Sequence, residues 1–341
     1  MSDEAEIKIN IEELQILLNL FGKEVRIKYP LYNFDFLLAK EHESGYRITI
    51  TCNERDFDKE LAHFGNQKKE LPAYSDLRAG LLSAGVLKYE NFDEFLEKLK
   101  SYRNLNKDIK FSLDTNMLYF RFTTNNKLIK PSEIVLVETV GDEIKAKLNY
   151  KYNPNKLAAI KKSAKVQKQL LDELWNRRMK RSRKAAYIAL REYKMLLDGV
   201  ADELEEVKQS SADSRDNDMI IVKTLTHLEC AGHTFPILIT ADDSMADLCN
   251  AEGLEYFKFD LPHLIDADYC TAKPLAGFIF NLAVVFGFIK INSVIIFGEF
   301  RGKSSNYPDE LKLEFLNENL QHDFERDLRI CRRLMKLGIE K

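Results

Sequence analysis

Short, largely apolar runs separated by stretches of helical periodicity constrain this chain more than any other feature. They fall at 110–113 (KFSL), 134–137 (IVLV), 236–240 (PILIT) and 256–259 (YFKF), with 293–297 (SVIIF) a candidate fifth. Runs this short and this apolar suit strands buried on both faces. With helical segments between them, the expected class is α/β, a parallel sheet flanked by helices. Sheets of that kind bind ligands at the carboxyl ends of their strands. Asp114 and Asp242 each stand just after such an end.

The 341 residues exceed one modest domain, and a hydrophobic content of 45% can fill more than one core. Residues 1–108 read as a separate α+β unit. A helical pattern at 11–21 ends at Gly22, an alternating run at 46–52 (YRITITC) suits a half-buried strand, and helices are expected at 77–87 and 92–102. The polar run 103–108 (RNLNKD) marks the boundary to an α/β block at 109–300. A long helical insertion, about 151–210, interrupts that block, and 301–341 is a helical extension. As a single helix the insertion would reach on the order of 80 Å, so a hairpin packed on itself is expected. The amphipathic stretch 323–337 suits a packing, dimer or partner-binding element.

Five dispersed cysteines without CxxC spacing suit reduced thiols, and the acidic start MSDEAEIKIN has no apolar leader-like run. A cytoplasmic location is the expectation. The apolar stretch 275–289 is shorter than the roughly 20 residues a spanning helix needs, so it reads as a buried core helix, with no membrane partner.

Four acidic segments carry the chemistry: FSLDTNMLYF with Asp114; VETVGDEI with Glu138, Asp142 and Glu143; DSRDNDMIIVKTL with Asp216 and Asp218; and ILITADDSMADLC with Asp242, Asp243 and Asp247. Any one of these acids is most simply a helix cap or a dipole partner. Gathered at one sheet edge, they would repel one another unless a cation lay between them. Hard oxygen donors suit Mg²⁺ or Mn²⁺, ions that support phosphodiester hydrolysis by activating water and holding a phosphate oxygen.

In order and context these segments resemble the PIN-domain family of metal-dependent nucleases, a compact α/β fold related to the flap endonucleases. Leu113-Asp114-Thr115-Asn116 resembles the family's first strand-end motif. Val140-Gly141-Asp142-Glu143-Ile144 resembles its second, Asp218-Met219-Ile220-Ile221 its third, and Leu238-Ile239-Thr240-Ala241-Asp242 its fourth. The match spans about 109–260. It implies that Asp114, Glu143, Asp218 and Asp242 are catalytic metal ligands, with Asp247 able to join them. Thr115, Asn116 and Thr240 would orient those carboxylates. Glu138 or Asp142 competes with Glu143, Asp216 with Asp218, and Asp243 is a further candidate. Ala241 stands where the family commonly has asparagine.

The first part of the insertion, 151–194, is dominated by Lys and Arg, opposed by Asp172, Glu173 and Glu192. Its densest run holds Arg177, Arg178, Lys180, Arg181, Arg183 and Lys184, flanked by Trp175 and Tyr187. A solvated helix and a nucleic-acid clamp both fit it. The net charge of −3 gives no global sign of nucleic-acid binding, so any phosphate contacts would be local. His227 and His233 lack a second metal-ligand pair, and GEFRGKS at 298–304 lacks the spacing of a phosphate loop. The resemblance therefore implies a Mg²⁺- or Mn²⁺-dependent endonuclease acting on RNA in preference to DNA. A catalytically inactive PIN-like module that binds nucleic acid or protein is the alternative.

Overall fold

The computed structural model describes residues 6–148, 154–175, 181–199, 201–206, 217–232, 234–303 and 309–338. In chain order the first elements are β1 (Ile7–Ile9), α1 (Leu14–Phe21), β2 (Glu24–Lys28), β3 (Asp35–His42), β4 (Gly45–Ile50), α2 (Glu54–Ala62) and α3 (Tyr74–Ser83). There follow α4 (Phe92–Arg103), β5 (Asp108–Leu113), α5 (Thr115–Tyr119), α6 (Phe122–Asn126), β6 (Ile134–Val137) and α7 (Glu138–Leu148). The chain continues through α8 (Pro154–Ser163), α9 (Arg181–Asp198), β7 (Asp202–Leu204), α10 (Asn217–Ala231), β8 (Thr234–Thr240), α11 (Asp243–Glu252) and β9 (Tyr256–Lys258). Its last elements are β10 (Tyr269–Thr271), α12 (Ala272–Phe286), β11 (Phe288–Ile291), β12 (Val294–Phe297), β13 (Leu311–Phe315) and α13 (Glu318–Lys336).

These elements fall into two compact units, each discontinuous in sequence: residues 1–86, 151–184 and 265–341, and residues 87–150 and 185–264. The first unit is built on an eight-stranded antiparallel sheet, ordered β1-β13-β12-β11-β2-β3-β4-β10. The expected core helix is there. Residues 275–284 of α12 are buried throughout, because an all-round apolar helix has no face to offer water. It packs on α1 and α3, and Asn281, its fully buried polar residue, donates to Ser83 Oγ at 2.8 Å. Gly22 closes α1 at φ +67°, as the periodicity predicts.

One strand expectation is corrected here. The run 293–297 does form a strand, β12, yet it pairs antiparallel with β11 and β13 and takes no part in the parallel sheet. A short apolar run carries no information about its partner, and Asn292 at φ +47° lets β11 turn directly into β12. Contiguous boundaries after residues 108 and 300 likewise do not anticipate a unit whose paired strands β1 and β13 come from opposite ends of the chain. The described parts of the insertion divide too: α8 and the 3₁₀ turn Lys168–Leu174 pack together in the first unit, and α9 belongs to the second from residue 185.

The second unit contains a five-stranded parallel sheet, ordered β7-β6-β5-β8-β9, with helices flanking it. The four expected runs are β5, β6, β8 and β9. β6 is buried at every position and β8 over its last five, as strands covered on both faces must be. The chain lays down β5, β6 and β7 in one direction, then returns to add β8 on the other side of β5. The strand order therefore reverses between β5 and β8, where open α/β sheets part into a crevice.

An acidic cluster at the carboxyl edge of the parallel sheet

Asp114 follows β5 at that reversal. Its amide donates to Ile239 O at 3.2 Å, continuing the β5–β8 pairing by one residue. The chain then turns into α5, and Asp114 caps it: Oδ1 accepts from the Met117 amide at 2.8 Å. Oδ2 accepts from Thr240 Oγ1 at 2.5 Å. Thr240, the last residue of β8, is fully buried, and its hydroxyl oxygen in turn accepts from the Asp242 amide at 3.0 Å. Asp242 caps α11 by accepting from the Ser244 amide at 2.8 Å. Two adjacent strand ends thus present their aspartates through one shared threonine.

Asp114 is 2% exposed. Its carboxyl is raised to about 6 in all: burial pushes it up most, the Thr240 and Met117 hydrogen bonds pull it back, and the charges of Asp242 and Asp218 add a smaller upward push. Asp218, in the first turn of α10, therefore belongs to the same electrostatic group. The helix α10 packs on β6 and β8 and against α7 and α11, which brings its first turn to this edge. Asp216 lies outside the described residues.

The helix α7 supplies Glu143. Its Oε2 accepts from Thr115 Oγ1 at 2.5 Å, and its Oε1 accepts from Lys147 Nζ at 2.7 Å. The lysine sits one turn along the same helix, an i,i+4 neighbour. Its ammonium also lies 5.2 Å from the centre of the Tyr119 ring. Burial lowers the Lys147 affinity for its proton, but Glu143 and Tyr119 outweigh that and leave it raised. Of the acids competing for this position, Asp142 is exposed and pairs with Lys145 at 3.0 Å, and Glu138 lies near Tyr193. Glu143 is the one that bonds the residue following Asp114.

The remaining candidates are more peripheral. Asp243 is exposed and pairs with Lys258 at 2.7 Å. Asp247 is exposed on α11, and Asn116 is half-buried on α5. Arg177, Arg178, Lys180 and His233 lie outside the described residues. Arg181, Arg183 and Lys184 form the start of α9, and only their backbone is described. Lys303 is buried, its ammonium donating to Gly298 O at 2.5 Å, so it is not placed for a nucleic-acid backbone.

Sequence reasoning missed Tyr89, Tyr119, Lys147 and Glu192. The Tyr89 hydroxyl is buried, and its acidity is suppressed first by that burial and then by Asp114 and Glu192. Glu192, buried on α9, accepts from the Thr124 amide at 2.9 Å and from the Thr124 hydroxyl at 2.5 Å, with Arg121 Nε at 3.7 Å. The i,i+4 spacing of Glu143 and Lys147 was a readable signal; Tyr89 and Glu192 are brought near by tertiary packing alone.

Among the described residues no group of three or more His, Cys, Asp or Glu stands close enough to hold a metal ion. Both oxygens of Asp114 and both of Glu143 accept from protein donors. The donor set is nonetheless chemically right for a hard divalent ion, being carboxylates with a supporting threonine. Burial is the main reason the Asp114 carboxyl is raised, and the smaller push from the Asp242 and Asp218 charges is the part a cation would relieve. A surface hollow of about 570 Å³ lies elsewhere, at the amino end of the sheet, lined by Leu105 to Asp108, Glu229, Gly232 and Thr234.

No helix among the described residues is long and apolar enough to cross a membrane. No protein-family model matches the chain, and no curated protein does. Among solved structures, a domain of a functionally unknown protein from Methanocaldococcus jannaschii DSM 2661 aligns with 46% of this chain and 96% of its own length, at 15% identity and a TM-score of 0.30.

Proposed function

We propose that the carboxyl edge of the parallel sheet is the active site of a Mg²⁺- or Mn²⁺-dependent endonuclease, with RNA favoured over DNA. One observation carries this reading: Asp114 is buried at the strand-order reversal with Asp242 and Asp218 pressing like charge on it. A protein that gathers acids in this way stores repulsion that a divalent ion removes. Asp114, Asp218 and Asp242 would hold the ion, and Glu143 would complete the set from α7. Thr240 fixes Asp114 and Thr115 fixes Glu143; Asn116 would join them as an orienting group, as the resemblance implies. When bound, the ion supplies an activated water and a grip on a phosphate oxygen.

The preference for RNA rests on the resemblance to PIN-domain nucleases, as does the role given to Asp247. The run from Arg177 to Lys184 would supply phosphate contacts. A protein partner or second copy would use the N-terminal region or α13, where Ile330, Leu334 and Met335 are exposed, with Leu337 just beyond its end. A cytoplasmic location belongs to the same proposal.

The test is cleavage of single-stranded, duplex and flap substrates with Mn²⁺. The wild type cuts at least one of them, and Asp114→Asn combined with Asp242→Asn abolishes cutting. Intact substrates throughout would remove the enzyme reading. A specific observation favours a second reading, a binding module without catalysis: the oxygens of Asp114 and Glu143 are already satisfied by protein donors. That reading predicts nucleic-acid or protein binding indifferent to Mn²⁺ and to both substitutions.

A further inference from the structure

We infer that the loop 162–171 and Trp175, in the first unit, form a binding surface for single-stranded nucleic acid, with lysines on the phosphates and the indole stacked on a base. The inference rests on the nucleic-acid reading above for the class of ligand, but it uses none of the acids at the sheet edge.

The segment is closed on itself. Lys161 Nζ donates to both carboxylate oxygens of Asp172 at 2.7 Å, so the residues between them form one loop. That loop holds no acid, and Lys162, Lys165 and Lys168 recur on it at every third position, all exposed. Among the described residues none of the three pairs with a carboxylate; Lys165 Nζ stands instead 3.1 Å from His63 Nε2. The acids that follow the loop are already engaged, Asp172 by Lys161, and Glu173 by Lys312 at 3.3 Å and the Arg301 amide at 3.2 Å. The charge left over is therefore positive, although the whole chain carries −3. Unpaired lysines repeated along a short loop suit a string of phosphates.

Trp175 stands just beyond the closure. Leu170, Leu171 and Leu174 are buried and fasten the 3₁₀ turn Lys168–Leu174, whereas the indole that follows is 42% exposed. Arg301 Nε donates to Asp172 O at 2.8 Å, and the Trp175 amide donates to the same carbonyl at 3.2 Å, so the backbone under the ring is held. A large aromatic face kept in water beside unpaired cations is a stacking platform for an unpaired base. Tyr187, the other ring flanking the basic run, is buried and cannot serve. A duplex keeps its bases stacked inside, and an acidic peptide brings charge without planar bases. Single-stranded nucleic acid matches both the lysines and the indole.

The experiment is a titration of the full chain in EDTA, which stops metal-dependent cutting, with oligouridylate of roughly 12 nucleotides. Trp175 is the chain's single tryptophan, so its fluorescence reports on this surface directly. Oligouridylate is expected to quench it. Followed by anisotropy of a labelled strand, Trp175→Ala is expected to bind roughly 5- to 100-fold more weakly than the wild type, and Trp175→Phe to stay close to it. Combining Lys162→Gln, Lys165→Gln and Lys168→Gln should lower the slope of log affinity against log salt by about two, at roughly 0.7 for each phosphate. Thermal melts establish folding, and the three single variants stand in should the combined one fail to fold. Absence of binding, or binding that leaves the fluorescence and the salt slope unchanged, overturns the inference. Quenching by poly-glutamate or by phosphatidylserine vesicles equal to that by oligouridylate overturns it too. These outcomes leave the metal-ion reading standing. Quenching as expected, with no substrate cut in Mn²⁺, would remove the nuclease reading and keep this surface.

Discussion

At Asp114 two opposing influences meet in one carboxyl group. Burial and the charges of Asp242 and Asp218 favour the protonated form, while Thr240 and the Met117 amide favour the ionised one. The first set wins, and the group titrates near 6 in place of the ordinary 3.8. A folded-state value above the unfolded one means that the stability tied to Asp114 is complete below pH 4. It is lost as pH rises through 6, by roughly 3 kcal/mol. Chemical denaturation of chelator-treated protein from pH 4 to 7 should therefore show Asp114→Asn gaining on the wild type by about that amount. A constant difference across the window would mean the carboxyl is not raised. Thr240→Val tests the link between the strand ends. It leaves Asp114 Oδ2 and the Asp242 amide without their shared partner, and about 1–3 kcal/mol of stability should go with them. Mn²⁺ affinity should fall roughly 10- to 100-fold, the usual effect of losing a group that orients a ligand.

Single elements show where sequence sufficed and where it did not. The strands β5, β6, β8 and β9 were legible because doubly covered strands leave unbroken apolar runs, and α12 was legible because a helix buried all round has no polar face. The placement of Asp114 and Asp242 followed directly, since each stands at a strand end. Glu143 could not be separated from Glu138 and Asp142 by spacing alone. What separates them is a tertiary hydrogen bond from the Thr115 hydroxyl, which no local pattern encodes. The strand β12 misled for a related reason: its VIIF core reads alike in a parallel or an antiparallel sheet. Its end carries a sharper constraint at Gly298, where an added Cβ would lie 2.3 Å from the Ala283 backbone of α12. Gly298→Ala has no flexible neighbour to push aside. It should lower stability by about 1–3 kcal/mol or more, measured as a drop in denaturation midpoint. An unchanged midpoint would mean that α12 and β12 do not approach so closely.

At the scale of the whole molecule, the near-neutral net charge leaves nucleic-acid binding to local features. If the run from Arg177 to Lys184 meets phosphates, replacing its six cations with alanine should flatten the dependence of RNA affinity on salt. The slope falls by about one for each phosphate that no longer meets a cation, and an unchanged slope would mean that other residues bind the phosphates. The interleaved build of the two units was illegible in the sequence, because it depends on which distant segments pair: β1 with β13, and β5 with β8. The same long-range pairing of β5 with β8 makes the acidic site, so the central claim is best tested by looking there. A crystal grown or soaked in MnCl₂ and measured at the manganese absorption edge should show an anomalous peak bounded by Asp114, Asp218 and Asp242. Density for manganese elsewhere with none among these three carboxylates, or none at all under saturating Mn²⁺, would contradict the account.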